Sequence, residues 1–330
     1  MKKFAEKICI ASLPTPIYRA ERLSASLGGP DIFIKRDDMT GVGVSGNKVR
    51  KLEYFAAEAL REGAGVLITC GGPQSNHARA TAAVAARIGL LSHLVLGGPC
   101  EKIPEGNLFL DRLFGAGTTF IPGAPLLELA EAMEKTAGSY SREGVKPYII
   151  PLGASDALGS LGYIDAMGEI QAQSKEMGVT FDHVVFASGS GGTLSGVVAG
   201  CLVHGLDSHV TGISVAFPPE WSDAKLEEIF SGLREKFIPD LPSPSGRYNV
   251  SADYIGEGYG KASPELIRFI RGVASLEALL VDPTYSGKAL FGLAGEIAKG
   301  TFKKGEKVLF IHTGGAFGLF PYREQFAGEF

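Results

Sequence analysis

Short, almost continuously apolar runs alternate along the chain with longer segments of helical periodicity. The runs Asp31–Lys35, Gly65–Cys70, Leu91–Leu96, Thr118–Pro122, Pro147–Pro151, His183–Ala187, Val210–Val215, Ala278–Val281 and Lys307–His312 read as strands covered on both faces. Between most of them, Lys48–Glu62, Asn76–Ile88, Leu126–Ser141, Ala157–Met177, Thr193–His204, Pro264–Val273 and Gly287–Lys299 read as helices. Repetition of strand and helix calls for parallel sheets joined by right-handed crossovers, so the expected fold class is α/β. The stretch Phe217–Tyr248, with five prolines and a charged run, reads as a surface helix and loop.

A length of 330 residues corresponds to about two domains, or one large domain with an insertion. Internal repeats are not evident. The 32 Lys and Arg against 36 Asp and Glu give a net charge of −4, which argues against a partner bound through a nucleic-acid backbone. Cys9, Cys70, Cys100 and Cys201 are far apart, so neither a disulfide framework nor a zinc site is expected. The histidines form no H-x-x-x-H or H-E-x-x-H pattern, and no metal is expected. Glu6 and Lys7 interrupt the first residues, and no apolar run approaches the ~20 residues of a membrane span. The expectation is a soluble, cytoplasmic protein that does not bind a membrane.

Glycine is in excess, at 45 residues, and 14 of these fall in five short segments near strand ends: Gly41–Lys48, Gly71–His77, Ser188–Thr193, Gly256–Lys261 and Thr313–Gly318. In parallel α/β folds, ligands bind where strands end and helices begin. Ser188-Gly189-Ser190-Gly191-Gly192-Thr193 follows a strand and opens a helix, as a phosphate cradle would. It equally suits a tight turn, and it lacks the pattern of a P-loop or of G-x-G-x-x-G. Ser45-Gly46-Asn47-Lys48 places a lysine in a first helical turn, where a cation is disfavoured. In a dry site such a lysine tends to the neutral amine, the nucleophile for carbonyl compounds. It would otherwise be a solvated lysine, with Lys35, Arg50 and Lys51 as nearby competitors. In Gly71–His77, Ser75 or Asn76 can cap the following helix, and the same geometry can receive a carboxylate. His77 is either a structural or a catalytic histidine. Tyr285 and Tyr259 stand on turns and can close over a ligand or exchange protons. His312-Thr313-Gly314-Gly315 ends the last strand with residues small enough to pass beside a flat ring.

A lysine, an anion-binding loop and a Ser-Asn helix start together suggest a Schiff base to a phosphorylated aldehyde. Here the chain resembles the fold-type II pyridoxal phosphate enzymes of tryptophan synthase β-like architecture. Within them it resembles the D-cysteine desulfhydrase / 1-aminocyclopropane-1-carboxylate deaminase branch. The resemblance runs from Leu13-Pro14-Thr15-Pro16 through Ile34-Lys35-Arg36-Asp37-Asp38, Gly46-Asn47-Lys48-Val49-Arg50-Lys51-Leu52-Glu53 and Gln74-Ser75-Asn76-His77 to His312-Thr313-Gly314-Gly315. It implies two open, twisted, mostly parallel sheets flanked by helices. A large domain of residues 1–51 and 164–330 would hold the cofactor, and a small inserted α/β domain would span 52–163. It implies a homodimer acting on a small amino acid.

By the same resemblance, Lys48 would bind pyridoxal 5'-phosphate and move the proton at Cα. Ser188, Gly189, Ser190, Gly191, Gly192 and Thr193 would hold the phosphate. Asn76 would meet the ring oxygen, and Asn47, Ser286, Thr313 and Gly314 would complete the cofactor site. Ser75, Asn76 and His77 would receive the substrate carboxylate, with Ser75 a second catalytic group. Tyr285 would lie by ring and substrate, and Tyr259 by the substrate amine or leaving group. The deaminases are alike in Tyr-Glu and His-Leu-Gly-Gly where this chain has Tyr285-Ser286 and His312-Thr313. A neutral Ser286 would not keep the pyridine nitrogen protonated, which suits β-elimination better than ring opening. The resemblance therefore points to a D-cysteine desulfhydrase. The alternatives are 1-aminocyclopropane-1-carboxylate deaminase and L-cysteate sulfo-lyase. Outside this class stand a nucleotide-binding module without covalent chemistry and a catalytically silent amino-acid sensor.

Overall fold

The computed structural model describes residues 4–43 and 46–329, so Ser45 of the lysine-bearing segment lies outside the described residues. In chain order the first elements are β1 (Ile17–Arg19), α1 (Glu21–Leu27), β2 (Asp31–Lys35), α2 (Lys48–Arg61), β3 (Val66–Gly71), α3 (Asn76–Ile88), β4 (Leu91–Leu96) and α4 (Gly106–Leu113). Next come β5 (Gly117–Phe120), α5 (Ala130–Arg142), β6 (Pro147–Ile149), α6 (Ala157–Met177), β7 (His183–Ser188), α7 (Gly192–His204) and β8 (His209–Ser214). The last are α8 (Pro219–Lys236), β9 (Tyr248–Ser251), α9 (Pro264–Glu277), α10 (Ser286–Ala298), β10 (Lys307–Ile311) and α11 (Arg323–Ala327).

The strands form a six-stranded sheet of order β1-β2-β10-β7-β8-β9 and a four-stranded sheet of order β5-β4-β3-β6. Every pairing is parallel except β1 with β2. Side chains on successive strand residues point to opposite faces, and here both faces are covered. Phe33, Val184, Phe186 and Leu309 pack on one side of the larger sheet with α2, α6 and α7. Ile32, Ile34, Val185, Val308 and Phe310 pack on the other with α9 and α10. In the smaller sheet, Val66, Ile68 and Val95 meet Met133 and Ala137 of α5, while Leu94 and Leu96 face α3 and α4.

Two close backbone approaches bring α2, α6 and α7 together. A Cβ on Gly162 would stand 2.5 Å from the carbonyl oxygen of Arg50, and one on Gly196 would stand 2.6 Å from that of Ser160. Only glycine permits both approaches. Arg50 then reaches across buried space. Its Nη2 and Nε donate to the two oxygens of Asp37 at 2.8 and 2.9 Å, and Nη1 donates to Glu169 at 3.0 Å. Thr15 and Tyr163 donate to the same Asp37 carboxylate at 2.8 and 2.7 Å, and Lys35 pairs with Glu169. Burial pushes the Asp37 and Glu169 carboxyls upward. The Arg50 guanidinium and Lys35 outweigh it and hold both below the usual carboxylate range.

Three parts of the sequence reading change. Ala278–Val281 is not a strand. Ala278 ends α9 with a φ of 52°, and the chain turns at Asp282 a few residues later. Leu279 and Val281 bury their side chains beside the sheet, and the Leu280 carbonyl accepts from His312 Nε2 at 2.8 Å instead of from a neighbouring strand. The helix expected over Leu126–Ser141 breaks into a single 3-10 turn at Leu126–Glu128 followed by α5. Elements β1, β9, α1, α4 and α11 were not foreseen. All are short, so local periodicity is too brief to show them. Among the described residues, no helix is long and apolar enough to cross a membrane, and no group of three His, Cys, Asp or Glu could hold a metal ion.

Replacing Arg50 with methionine strands Asp37 without its main counter-charge. The expected cost is about 3–5 kcal/mol at pH 7, read by urea unfolding. Both carboxyls are held low, so the stability they contribute is complete above the ordinary carboxylate pKa and is lost as pH falls through the folded value. In Arg50→Met burial instead pushes Asp37 up, so the gap from wild type narrows as pH falls and the variant's carboxyl takes up its proton first.

Candidate active site

The carboxyl ends of β3, β6, β7 and β10 and the amino ends of α2, α3 and α7 converge on one cleft. Its wall includes Asn47, Lys48, Ser75, Asn76, His77, Ser188, Gly189, Ser190, Gly191, Thr193, Tyr259, Tyr285 and Thr313. These come from six separate segments of the chain. Gly192, Ser286 and Gly314, also expected here, adjoin lining residues without lining the cleft themselves.

Lys48 opens α2. No opposite charge offsets its desolvation, and burial alone lowers its amine to about 8. Two contacts set the start of this helix. The Asn47 amide donates to Thr193 Oγ1 at 3.0 Å, and Asn47 N donates to the Thr313 carbonyl at 3.1 Å. Gly46 has a φ of 127°, and a Cβ there would lie 2.9 Å from that same Thr313 oxygen, so no larger residue fits.

Opposite Lys48, Gly191 turns with a φ of 82° into α7. The first N–H groups of a helix lack internal acceptors and attract anions. Ser188 Oγ is buried beside them without a hydrogen-bond partner. Ser190 Oγ is tied to Ser155 Oγ at 2.8 Å. Lys51, read from sequence as a competitor of Lys48, is buried instead. Its Nζ lies 3.3 Å from the Gly153 carbonyl and 2.7 Å from where a Cβ of Gly192 would stand. Burial and the neighbouring Lys48 charge drive its pKa well down. An anion at the start of α7 would therefore gain backbone N–H groups and a nearby amine at once.

At the α3 end, Ser75 caps the helix, its Oγ accepting from Ala78 N at 3.2 Å. Asn76 and His77 follow as first-turn residues. The His77 ring is buried, and Nε2 lies 2.7 Å from Thr69 Oγ1, whose own proton goes to the Ile150 carbonyl. Burial and then the charges of Lys48 and Lys51 keep this imidazole neutral. One ring nitrogen is thus committed to β3, while Nδ1 is buried without a hydrogen-bond partner.

Tyr259 and Tyr285 place their hydroxyls 2.5 Å apart at the cleft. Burial pushes the Tyr259 hydroxyl up to about 12 and that of Tyr285 well above its ordinary value, so both stay protonated at neutral pH. The Tyr259 loop is pinned by residues the sequence did not mark. Lys288 donates to the Ile255 and Gly258 carbonyls, each at 2.7 Å, and Tyr322 donates to the Gly260 carbonyl at 2.6 Å. Ser286 does not face the cleft. Its hydroxyl donates to Asp282 at 2.7 Å and lies 3.0 Å from the Gly314 carbonyl. Asp282 is itself covered by the backbone N–H groups of Thr284, Tyr285 and Ser286. Leu126, Leu152, Gly153, Ala216 and Phe217 also line the cleft. The loop after β6 follows a strand end as the five glycine segments do, and that position was the signal for Leu152 and Gly153.

A buried amine without a counter-ion, an anion cradle with an unpartnered hydroxyl, and small residues at Thr313-Gly314 fit a phosphorylated carbonyl cofactor. The class of protein so defined is an open α/β enzyme that carries such a group on a lysine. The description "Pyridoxal-phosphate dependent enzyme" matches residues 9–314. A putative 1-aminocyclopropane-1-carboxylate deaminase of Pyrococcus abyssi is 39% identical over 97% of this chain and 94% of its own. D-cysteine desulfhydrase of Serratia proteamaculans is 39% identical over 94% of each chain. A bifunctional D-cysteine desulfhydrase/1-aminocyclopropane-1-carboxylate deaminase of Arabidopsis thaliana is 38% identical over 96% of this chain and 80% of its own. A solved structure described as an ACC deaminase homologue superposes with a TM-score of 0.90 at 39% identity, covering 99% of this chain and 97% of that one. The chain belongs to the pyridoxal-phosphate dependent enzymes of fold type II, in the lyase family that holds these deaminases and desulfhydrases. Its cofactor is pyridoxal phosphate.

The amine of Lys48 predicts how cofactor capture depends on pH. A protonated amine does not attack a carbonyl, so with Lys48 as the cofactor lysine the rate of uptake by the apoenzyme should rise with pH about a midpoint near 8 and level off above it. An ordinary lysine would keep gaining until about 10.4. Stopped-flow absorbance after mixing with pyridoxal phosphate measures it.

Proposed function

We propose that this enzyme converts D-cysteine and water to pyruvate, ammonia and hydrogen sulfide by β-elimination. The observation that carries this reading is the neutral wall near Thr313. There Ser286 is turned away and the Asp282 carboxylate is capped, so no acid lines the cleft where a ring nitrogen would sit. A ring with an unprotonated nitrogen withdraws fewer electrons, which suits loss of a good β-leaving group better than opening of a cyclopropane. Lys48 is also the one side-chain ammonium or guanidinium among the described lining residues. That disfavours the sulfonate of L-cysteate, whose second anionic group would lack a partner.

The bound cofactor supplies the electron sink for the bond broken at Cα. The start of α7 with Ser188, Ser190, Thr193 and Lys51 would hold its phosphate, and the Asn76 amide its ring oxygen. Lys48 carries the proton between Cα and the cofactor side of the cleft. Ser75 and the first N–H groups of α3 receive the substrate carboxylate. Tyr259 and Tyr285 present protonated hydroxyls, so one can donate to the departing sulfur. The inserted unit of residues 52–163 carries Ser75 and Asn76, and the remainder carries Lys48 and the phosphate cradle, so the substrate lies between them.

A product screen over D-cysteine, L-cysteine, D-serine, L-cysteate and the cyclopropane amino acid tests the reading. Pyruvate and sulfide from D-cysteine are expected, with kcat/KM at least about tenfold above any other substrate, the smaller end of what pocket differences provide. Release of 2-oxobutanoate from the cyclopropane amino acid, with no pyruvate from D-cysteine, would overturn it. The Tyr259→Phe variant should lower kcat for D-cysteine by about 10²-fold, the lower range for a lost general acid. A leaving group that needs no proton, as in D-chloroalanine, should be spared.

A further inference from the structure

We propose that Arg79 and Asn107 are positioning residues that fix the orientation of the Asn76 amide, so that Asn76 offers its N–H and not its carbonyl to the cofactor oxygen. This rests on the reading that Asn76 meets that oxygen. An amide side chain turned end for end keeps its shape, so only its hydrogen-bond partners decide which end faces a ligand. A chain of such partners must begin on a group that cannot be reversed. Arg79 is that group, because a guanidinium only donates.

Arg79 Nε donates to Asn107 Oδ1 at 2.9 Å. This fixes the Asn107 oxygen toward Arg79 and leaves its Nδ2 to donate. Nδ2 does so to the Gln74 carbonyl at 2.9 Å and to Asn76 Oδ1 at 2.8 Å. With its oxygen occupied, Asn76 has only Nδ2 left for the cleft, which it lines. Gln74 closes the arrangement: its Oε1 accepts from Asn107 N at 3.0 Å, and its Nε2 donates to the Glu105 carbonyl at 3.1 Å. Asn107 and Arg79 are buried, at 0% and 1% exposure, and neither lines the cleft. They act through Asn76. A reversed Asn76 would turn a partial negative charge toward an anionic oxygen and raise that oxygen's affinity for a proton.

The test compares holoenzymes of wild type, Asn76→Ala, Asn107→Asp, Asn107→Leu and the double variant Asn76→Ala/Asn107→Asp, each matched to wild type by circular dichroism. An aspartate at 107 still accepts from Arg79 but cannot donate to Asn76. Two quantities are read: the pH midpoint of the bound cofactor's visible absorbance band, and the Kd for pyridoxal phosphate. Asn107→Asp should raise the midpoint by about one unit and weaken the cofactor about tenfold, the loss of one charge-assisted hydrogen bond. Asn107→Leu, which adds no charge, should move both the same way by less, and it carries the test if the aspartate variant does not fold. The double variant should match Asn76→Ala alone. Wild-type midpoints in both Asn107 variants, while Asn76→Ala shifts, would overturn the relay. Further loss in the double variant beyond Asn76→Ala would overturn it too, because the effect would not run through Asn76. An unshifted Asn76→Ala would instead remove the assignment of Asn76 itself, and the relay with it.

Discussion

The contact on which the site depends most is the buried pairing of Arg50 with Asp37 and Glu169. It is made two residues beyond Lys48 on the same helix, so it sets where the start of α2 lies relative to the larger sheet and α6. A charge taken out of water is costly unless its geometry is nearly complete. Here Asp37 receives Arg50, Thr15 and Tyr163, and Glu169 receives Arg50 and Lys35. Such a network tolerates little displacement. The glycine at 162 lets the α2 backbone come close enough for Arg50 to reach, and Asn47 and Gly46 then tie the first turn to Thr193 and Thr313.

From that anchor the electrostatics of the cleft follow by burial. On the side of the proposed phosphate cradle, Lys48 and Lys51 are buried with lowered pKa values. Lys48 and Lys51 each lower the cost of an arriving anion, and both depress the His77 ring. On the opposite side the hydroxyls of Tyr259 and Tyr285 stay protonated because burial disfavours their anions. The chain thus keeps a lysine of lowered pKa, a neutral imidazole and protonated phenols in one enclosure. A buried carboxylate nearby, Asp282, is turned inward onto backbone N–H groups and the Ser286 hydroxyl, where it shapes the turn that presents Tyr285.

Much of this is legible in the sequence, for identifiable reasons. Strands covered on both faces read as apolar runs, and long helices between them repeat often enough to be seen, so the parallel α/β architecture is visible without coordinates. Loops that follow such strands are where ligands bind, which is why Lys48, Ser75, Asn76, Ser188 and Tyr285 could be named together. The Ala278–Val281 run misleads because a buried apolar tetrapeptide has the composition of a strand whether or not a strand lies beside it. Lys51 misleads in the other direction: one turn of helix separates a solvated lysine from one drawn under the α7 cradle, and nothing in the local pattern tells them apart.

Sequence alone determined the class of fold, the glycine-bearing strand ends and the residue types available to hold a phosphorylated aldehyde. These depend on hydrophobic periodicity and on local chain conformation, which neighbours in sequence control. Tertiary structure alone decided which of those residues share a cleft and which way their polar atoms point. Ser286 faces Asp282 instead of the cleft, His77 Nε2 is held by Thr69, and Asn76 is oriented by Arg79 through Asn107. Each of these outcomes rests on a hydrogen bond whose direction is set by a partner several residues or a whole element away, and such partners exist only once the chain has folded.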